Sequence, residues 1–499
     1  MKDKFIIRMI FQVGLQFLNI FAAYFFAKYL SLELMGVTGE VSSYIGIFTM
    51  FLSIGIESIY IQHSGDSNFE SYYSNFMFIK LSIIFLSFIS LLFFIFLIDF
   101  QYKGYFLLIS LTELITKYSI VVNTHLRAKL KIYKAEIPSF VIGFLNAIVK
   151  TIISINLNKF SNPLIVYGAV SLLFAGINLF FTLYISKGER TRTKISKSRI
   201  FQLLKETKPL IFTSLILIFN DNIGNLIIDH FYGTEQFAYY FFVKSFIIVT
   251  LTTVTLSIGV IYESYFAKWF VNNKYKEIQK MTQKIEKYSA IFYCAVAILT
   301  LLNAEIAFQI FLPNYIDSIP ILQILVFIPL FSSLSRPYNK HLYAGKKQGV
   351  ISRYLSIRSV CFLILIVIII PENIWGINLL GFGVIGYCFL NLTFNIIDYA
   401  FYRYFSKKYF GIEGENKLFF ILPLSFLTFL ISYLLKYLLI EVIESQLILL
   451  VLSSLISFIF FIISLIICHF INRDDISFFL DLFNLKNYKK GLKDEFSMK

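Results

Sequence analysis

Charged and amide side chains recur at helical spacing along this 499-residue chain, inside stretches that are otherwise apolar. Arg8, Gln12, Gln16 and Asn19 follow one another at intervals of 4, 4 and 3 residues, which puts all four on one face of a helix. Asn222, Asn225 and Asp229 repeat the pattern, and Lys244, Thr252 and Thr255 line one side of the next segment. Asn146, Lys150 and Ser154 stand four apart, and Asn391, Asn395 and Asp398 form a fourth stripe. Amides, hydroxyls and isolated cations of this kind hold a polar or anionic solute by hydrogen bonds and charge. They do not assemble a nucleophile with its base.

Other chemistry is weakly represented. His63, His125, His230, His341 and His469 are scattered, and the one adjacent acid and imidazole, Asp229 and His230, reads as a polar helix end, so no catalytic residue is assigned. Cys294, Cys361, Cys388 and Cys468 lie in apolar stretches without metal-ligand spacing, so neither a disulfide framework nor a metal site is expected. No G-x-x-x-x-G-K-[ST] run occurs, and direct use of ATP is not expected. Arg336, Asn339 and Lys340, followed by Arg353 and Arg358, form a cationic group with two readings. One is headgroup snorkelling. The other is an entrance for a diphosphate, which Arg grips bidentately and Lys meets as a point charge.

The elements that must position these residues follow from composition. The chain is 58% hydrophobic and only 15% charged, with 58 Phe and 32 Tyr, and its mean hydropathy is +0.74. Soluble chains are ~45 to 50% apolar and ~25% charged. The excess falls in blocks of the ~20 residues that an α-helix needs to cross the bilayer core. An all-α polytopic membrane protein is expected; a soluble enzyme, a secreted scaffold and a nucleic-acid binder are excluded. Fourteen spans are read near 5–29, 40–62, 75–98, 104–124, 137–157, 163–186, 209–230, 237–264, 288–312, 318–344, 350–370, 377–402, 417–440 and 446–471. The segments around Pro320, Pro329, Pro337 and Pro371 are those most open to kinks or breaks.

Alternation of the intervening loops puts 34 of the 45 Lys and Arg on one side and four on the other, with seven inside spans. By the positive-inside rule both termini are cytoplasmic. The net charge of +15 is then an orientation signal and a contact with anionic headgroups, and it calls for no nucleic acid. The basic start of the chain has an apolar run too long for a cleaved signal, so it is read as the first span. The link 265–287 reads as an amphipathic helix on the membrane surface. An ionised group at mid-bilayer costs ~2.5 to 3.5 kcal/mol, so each polar stripe must face a cavity, a partner or an interface. Interhelical hydrogen bonding is the competing use of the Gln and Asn residues. Glu113 and Lys117, four apart in the favourable order, are expected to neutralise each other.

An internal repeat organises the spans. Helices 1 and 2 join through AKYLSLELMGVTGE and helices 7 and 8 through DHFYGTEQFAYY, with Glu33 and Glu235 in the same place and a literal LSIG following at 52–55 and 256–259. Two pseudo-symmetric six-helix lobes are expected, residues 1–200 and 201–408, with residues 409–499 adding two C-terminal helices and a tail.

The segment AKYLSLELMGVTGEVSSYIGIFTMFLSIGI resembles the first signature of bacterial polysaccharide exporters, the O-antigen flippase type of the multidrug/oligosaccharidyl-lipid/polysaccharide superfamily. KPLIFTSLILIFNDNIGNLIIDHFYGTEQFAYYFFVKSF is similar to the matching signature of the second lobe. Departures are Gly224 at the usual acidic position of helix 7, and Ala238 where a Gly usually follows the turn. The resemblance implies a flippase for a polyprenyl-diphosphate-linked oligosaccharide in the bacterial cytoplasmic membrane, with helices 1, 2, 7 and 8 lining the cavity. It implies no cofactor, coupling to an ion gradient or membrane potential, and partners limited to membrane lipids, the lipid-linked glycan and a glycan polymerase. Arg8, Gln12, Gln16, Asn19, Lys150, Asn222, Asn225, Asp229 and Lys244 are the cavity candidates, and Arg336, Lys340 and Arg358 the entrance candidates. The alternatives are a cation-coupled multidrug exporter, a peptidoglycan-precursor flippase and, most remote, a membrane glycan polymerase or acyltransferase.

Overall fold

Apolar blocks of this length leave the backbone one way to satisfy every N–H and C=O in a bilayer, which is to close them within helices. The computed structural model describes residues 2–53, 55–65, 69–189, 193–253, 265–266, 268–416 and 418–471. In chain order the α-helices are α1 (Lys2–Tyr29), α2 (Leu32–Thr49), α3 (Ile56–Gln62), α4 (Tyr73–Leu97), α5 (Lys103–Ala128), α6 (Ile132–Ile155), α7 (Pro163–Ile185) and α8 (Lys197–Phe242). A π-helical turn, Val243–Ile248, extends α8. There follow α9 (Tyr275–Phe311), α10 (Ile319–Leu325), α11 (Ile328–Ala344), α12 (Gln348–Ile369), α13 (Gly383–Phe410), α14 (Leu418–Ile440) and α15 (Gln446–Ile467). Among the described residues eleven helices have the length and apolarity to cross a membrane. The other three expected spans, near 5–29, 209–230 and 237–264, fall on α1, α8 and the π-helical turn, outside that eleven, and residues 254–264 lie outside the described residues.

Several boundaries differ from the sequence reading. The turn expected at 231–236 is present but tight: the helix breaks at Gly233, at φ 82° and ψ 162°, and the two segments of α8 fold back on one another, so that Lys244 reaches Asn225 at 3.4 Å. The second expected span is two helices, α2 and α3, separated by a tight turn and by Gly55 at φ 78°. The buried Lys80 ammonium caps the freed Leu52 carbonyl there and pairs with Glu57. The span read as 318–344 breaks between α10 and α11, just before Pro329, which has no N–H to carry a helix through. The link 265–287 is not a separate surface helix: from Tyr275 it continues unbroken into α9. At the Pro371 break the chain forms a small antiparallel hairpin, β1 (Asn373–Ile374) and β2 (Ile377–Asn378), tipped by exposed Trp375 and Gly376, both at positive φ.

Packing pairs α2 with α8, α1 with α6, α5 with α7 and α11 with α13, while α14 and α15 rest on α9. Polar contacts fix that last docking. Asn303 of α9 donates to Ser454 at 3.1 Å and accepts from Ser453 at 2.7 Å, and Lys436 of α14 donates to the Leu302 carbonyl at 2.5 Å.

The ends of α5 and α11 repeat one another. N-x-H-L-x-A-x-x-K reads at Asn123–Lys131 and again at Asn339–Lys347. Both helices close with a left-handed residue, Leu130 at φ 59° and Lys346 at φ 57°. Both make the same return bond, Lys131 N to Leu126 O and Lys347 N to Leu342 O, each 2.8 Å. The two histidines are fully buried. His125 bridges the Tyr60 hydroxyl and the Glu189 carbonyl, while His341 bridges Ser406 and Thr282.

Candidate functional site

The five helices α1, α2, α5, α6 and α7 enclose a cavity of about 460 Å³, closed on one side by Phe241, Ser245 and Phe246. Among the described residues Lys150 of α6 is the charged one in its wall, and none of the described lining residues is a carboxylate. The Lys150 ammonium stands 4.4 Å from the centroid of the Tyr167 ring, a cation–π contact, and has no ion-pair partner among the described residues. Sequence spacing left open whether Lys150 faces a solute or an acid, and the geometry places it in the cavity wall.

The remaining polarity comes from hydroxyls and amides. Thr112 and Thr116 of α5 and Ser171 of α7 each donate to the carbonyl four residues back, at 2.8 to 2.9 Å, which leaves oxygen lone pairs free to accept. Asn146 and Asn178 also line the space, and each has a buried Oδ1 with no hydrogen-bond partner. An unmet buried acceptor costs about 1–3 kcal/mol. A solute rich in hydroxyl donors recovers that cost, so the cavity fits an anionic or polyhydroxylated group better than an organic cation.

The other sequence candidates fall elsewhere. Arg8 and Gln12 lie on the α1 backbone, but their side chains are outside the described residues. Gln16 and Asn19 are half-buried on α1 and do not line the cavity. Asn222 and Asn225 face α2 along a close seam. There Asn225 donates to Ser43 at 3.1 Å and accepts from Lys244 at 3.4 Å. Lys244, on the π-helical turn, also lies 5.3 Å and 5.9 Å from the Tyr240 and Tyr387 ring centroids. Asp229, further along α8, keeps a buried Oδ1 without a partner, and Glu40 of α2 is close enough to repel it. A β-carbon on Gly224 would stand 2.7 Å from the Tyr387 ring, so any side chain at this position requires that ring to shift.

In the second half of the chain, Arg358 is tied to Asp398 at 2.9 Å, and the Tyr354 hydroxyl donates to the same oxygen at 2.6 Å. Arg336 and Lys340 are half-buried on α11, with Lys340 5.5 Å from the Tyr343 ring centroid. Glu113 and Lys117 do form their ion pair, at 3.0 Å.

The seam between α2 and α8 rests on small residues. Gly36, Gly39, Ser43 and Gly46 recur at intervals of 3, 4 and 3, one helix face that brings two backbones together. A β-carbon on Gly36 would stand 2.5 Å from the Thr234 carbonyl oxygen, and one on Gly39 2.7 Å from the Phe237 and Phe241 rings. At the opposite end of the bundle Gln62 of α3 donates to the Tyr343 carbonyl at 2.9 Å and accepts from Gln348 at 3.2 Å. The two halves of the chain are therefore latched at both ends. Sequence reasoning missed this stripe and the Thr112, Thr116, Ser171 and Asn178 wall, although both carry helical spacing.

Residues 25–320 match the model of a family described as "Polysaccharide biosynthesis protein". No curated protein sequence matches the chain. Among solved structures, the lipid II flippase MurJ in an inward closed conformation superimposes with a TM-score of 0.63 at 16% identity, covering 91% of this chain and 97% of that one. An inward-facing multidrug resistance MATE family transporter of the MOP superfamily gives 0.61 at 14% identity, covering 80% and 98%. A MOP superfamily transporter from Pyrococcus furiosus, whose structure is described as having a binding pocket of reversed polarity, gives 0.60 at 15% identity, covering 81% and 95%. At these identities the likeness is one of fold.

Proposed function

The chain belongs to the polysaccharide biosynthesis protein family, within the multidrug/oligosaccharidyl-lipid/polysaccharide superfamily of membrane transporters, and from that premise we propose that it flips a lipid-linked oligosaccharide across the bacterial cytoplasmic membrane. The substrate class is a polyprenyl-diphosphate-linked repeat unit of the O-antigen or capsule type, moved from the inner to the outer leaflet. The observation that carries this reading is the cavity: among the described residues its wall holds one cation without an ion-pair partner, Lys150, with hydroxyl, amide and aromatic groups and no carboxylate. Diphosphate oxygens suit the ammonium, and sugar hydroxyls suit the open acceptors of Asn146 and Asn178.

No bond is made or broken in this cycle. Residues 1–200 and 201–408 act as two lobes that rock about the cavity, with 409–499 carried on the second lobe. The positive-inside balance places both termini in the cytoplasm, and the α2–α8 glycine seam is then the outer gate. Gln62 and its partners form the inner gate. An ion gradient or the membrane potential drives the cycle, and Glu40 and Asp229, two carboxylates close together across the outer gate, are the coupling candidates. A glycan polymerase at the outer face receives the product. A multidrug exporter for organic cations fits this wall less well, because the one charged side chain among its described residues is positive.

Deleting the gene in its host and analysing surface glycan beside membrane lipid intermediates tests the reading. Loss of surface polymer with accumulation of a complete prenyl-diphosphate repeat on the cytoplasmic face is the expected result. Unchanged glycan with raised sensitivity to cationic drugs would overturn it.

A further inference from the structure

Between Arg358 and Asp398 the sequence carries a single charge, Glu372, and the hairpin that joins α12 to α13 falls inside that run. Its two rungs pair Asn373 with Asn378 and Ile374 with Ile377. Successive side chains on a strand point to opposite faces, so one face of the hairpin is the asparagine pair and the other the isoleucine pair. Asn373 donates to Asn378 across its face at 3.1 Å. At the tip Trp375 is 97% exposed, with Ile377 beside it at 64%. Trp375 stands at φ 50° and Gly376 at φ 84°. A turn of this hand favours Asn or Asp before the glycine, and a tryptophan has no local hydrogen bond to offset the left-handed strain. An indole is held at the tip where the backbone would prefer a small polar residue.

The base of the hairpin is tied down. Leu379 N donates to the Glu372 carbonyl at 2.8 Å, Leu380 N to that of Ile368 at 3.1 Å and Phe382 N to that of Ile369 at 2.9 Å, so the return arm closes against the last turn of α12. Tyr232 of α8 adds a bond to the Ile370 carbonyl at 2.6 Å. From the Glu372 rung the tip is three residues away, about 10 Å at ~3.4 Å per residue. A headgroup layer is roughly 5–7 Å deep on each side of the bilayer core. Upright, the hairpin would clear that layer; tilted onto it, the tip stays within. The helices below it are exposed along apolar strips, Ile364 and Ile368 on α12 and Ile385 and Phe389 on α13, each four residues apart. Those strips face lipid in a spanning pair, and exposed Leu380 and Phe382 carry the apolar surface from them to the hairpin.

We propose that the 371–382 hairpin is a lipid anchor: it lies in the headgroup layer of the outer leaflet, with Trp375 and the isoleucine face against lipid and the asparagine face toward water. A two-faced hairpin matches a boundary between oil and water, whereas a protein partner covering the whole tip would bury the asparagines too. Indole suits the same boundary, having an apolar body and one N–H donor. Because the base is bonded to α12 and α8, the anchor sets the height of that end of the second half in the bilayer. The outer side follows from the charge balance of the loops. The inference stands apart from the transport reading and from what the chain carries.

The chain has two tryptophans, so Trp269→Phe leaves Trp375 as the sole one in the full-length protein. Its emission is measured in phosphatidylcholine nanodiscs, in discs whose lipid is brominated near the headgroup or near the chain end, and with iodide in the water. The expected result is loss of most of the emission to the shallow bromine, a smaller loss to the deep one, and weak quenching by iodide. Strong quenching by iodide with no response to either brominated lipid puts the indole in water, open to a protein partner, and overturns the proposal. Stronger quenching by the deep bromine overturns it as well. Should Trp269→Phe fail to fold, the difference in emission between wild type and Trp375→Phe carries the same signal. Trp375→Asn supplies a second readout, since it suits the turn and removes only the indole. With the four natural cysteines replaced by alanine, Ile377→Cys should react faster with a water-soluble maleimide when Trp375→Asn is present; equal rates would refute the anchor.

Discussion

Gly36→Ala should unlatch the α2–α8 seam, and its size can be worked from the geometry. The added methyl would stand 2.5 Å from the Thr234 carbonyl oxygen and 3.2 Å from its carbon, both backbone atoms that cannot rotate away. Ordinary contact needs roughly 1 Å more, so the two helices must separate or strain. Overpacking of a close-packed site costs about 1–3 kcal/mol. That cost falls on the closed arrangement alone, and a bias of this size shifts a two-state equilibrium by about 5- to 150-fold.

A cysteine at Ser43, fully buried in the seam beside Asn225, reports opening. In a chain whose four natural cysteines are replaced by alanine, Ser43→Cys is labelled with a membrane-impermeant maleimide from the outer face, with and without Gly36→Ala. The labelling rate should rise within that range. Gly349→Ala, where a β-carbon meets open space, is the control and should leave the rate unchanged. If Gly36→Ala stays monodisperse and labels at the control rate, the seam is not a gate and the reasoning fails.

Other outcomes follow from the same contacts. Lys150→Ala should lower export by about 10- to 150-fold, the loss of one charge-assisted contact of about 1.5–3 kcal/mol, with normal protein in the membrane, and Lys150→Arg should recover part; wild-type export by the alanine variant would sink the cationic-cavity reading. Arg358→Ala strands Asp398 and should cost about 1.5–3 kcal/mol in thermal stability, whereas Arg358→Met with Asp398→Leu should cost less, as apolar replacement of a buried pair often does. Burial pushes the Glu189 carboxyl up, but hydrogen bonding and charge from Lys134, aided by Lys131 and Lys129, outweigh it and hold the group below the usual carboxylate range. A depressed carboxylate lends stability above its unfolded value of ~4.3 and loses it as pH falls through the folded one. Melting in detergent should therefore fall between pH 5 and more acid conditions, and Lys134→Ala should flatten that slope.

The sequence made the helices legible because a bilayer admits few alternatives to a closed backbone, and Lys150 with Asn146 was found because both sit on one face of one helix. Contacts between distant segments were not legible. Nothing in the spacing of Arg358 pointed to Asp398, forty residues on, and without that partner the arginine read as a free cation. The turn at Gly233 was legible, because a glycine between polar residues marks a reversal and the chain does fold back there. The glycine stripe of α2 was visible as a pattern, but its meaning depended on a partner helix nearly two hundred residues away. The charge tally gave a side for each loop, yet it carried no information on which faces of the helices meet.

The repeated helix ends at His125 and His341 show two halves built to one plan, yet the 460 Å³ cavity draws nearly all of its wall from the first half. The corresponding interior of the second half is occupied by its own side chains: Tyr387 pressed against Gly224, and Arg358 locked to Asp398. On the proposed reading, a load held there would be eccentric. One half would be the carriage and the other a counterweight, and the passenger would move through a larger arc than on the symmetry axis. Weight added to the second half, such as α14 and α15 bolted to α9, leaves the passenger compartment untouched. Such a machine can exchange its cargo by remodelling a handful of positions on α5, α6 and α7 without disturbing the half that supplies the leverage.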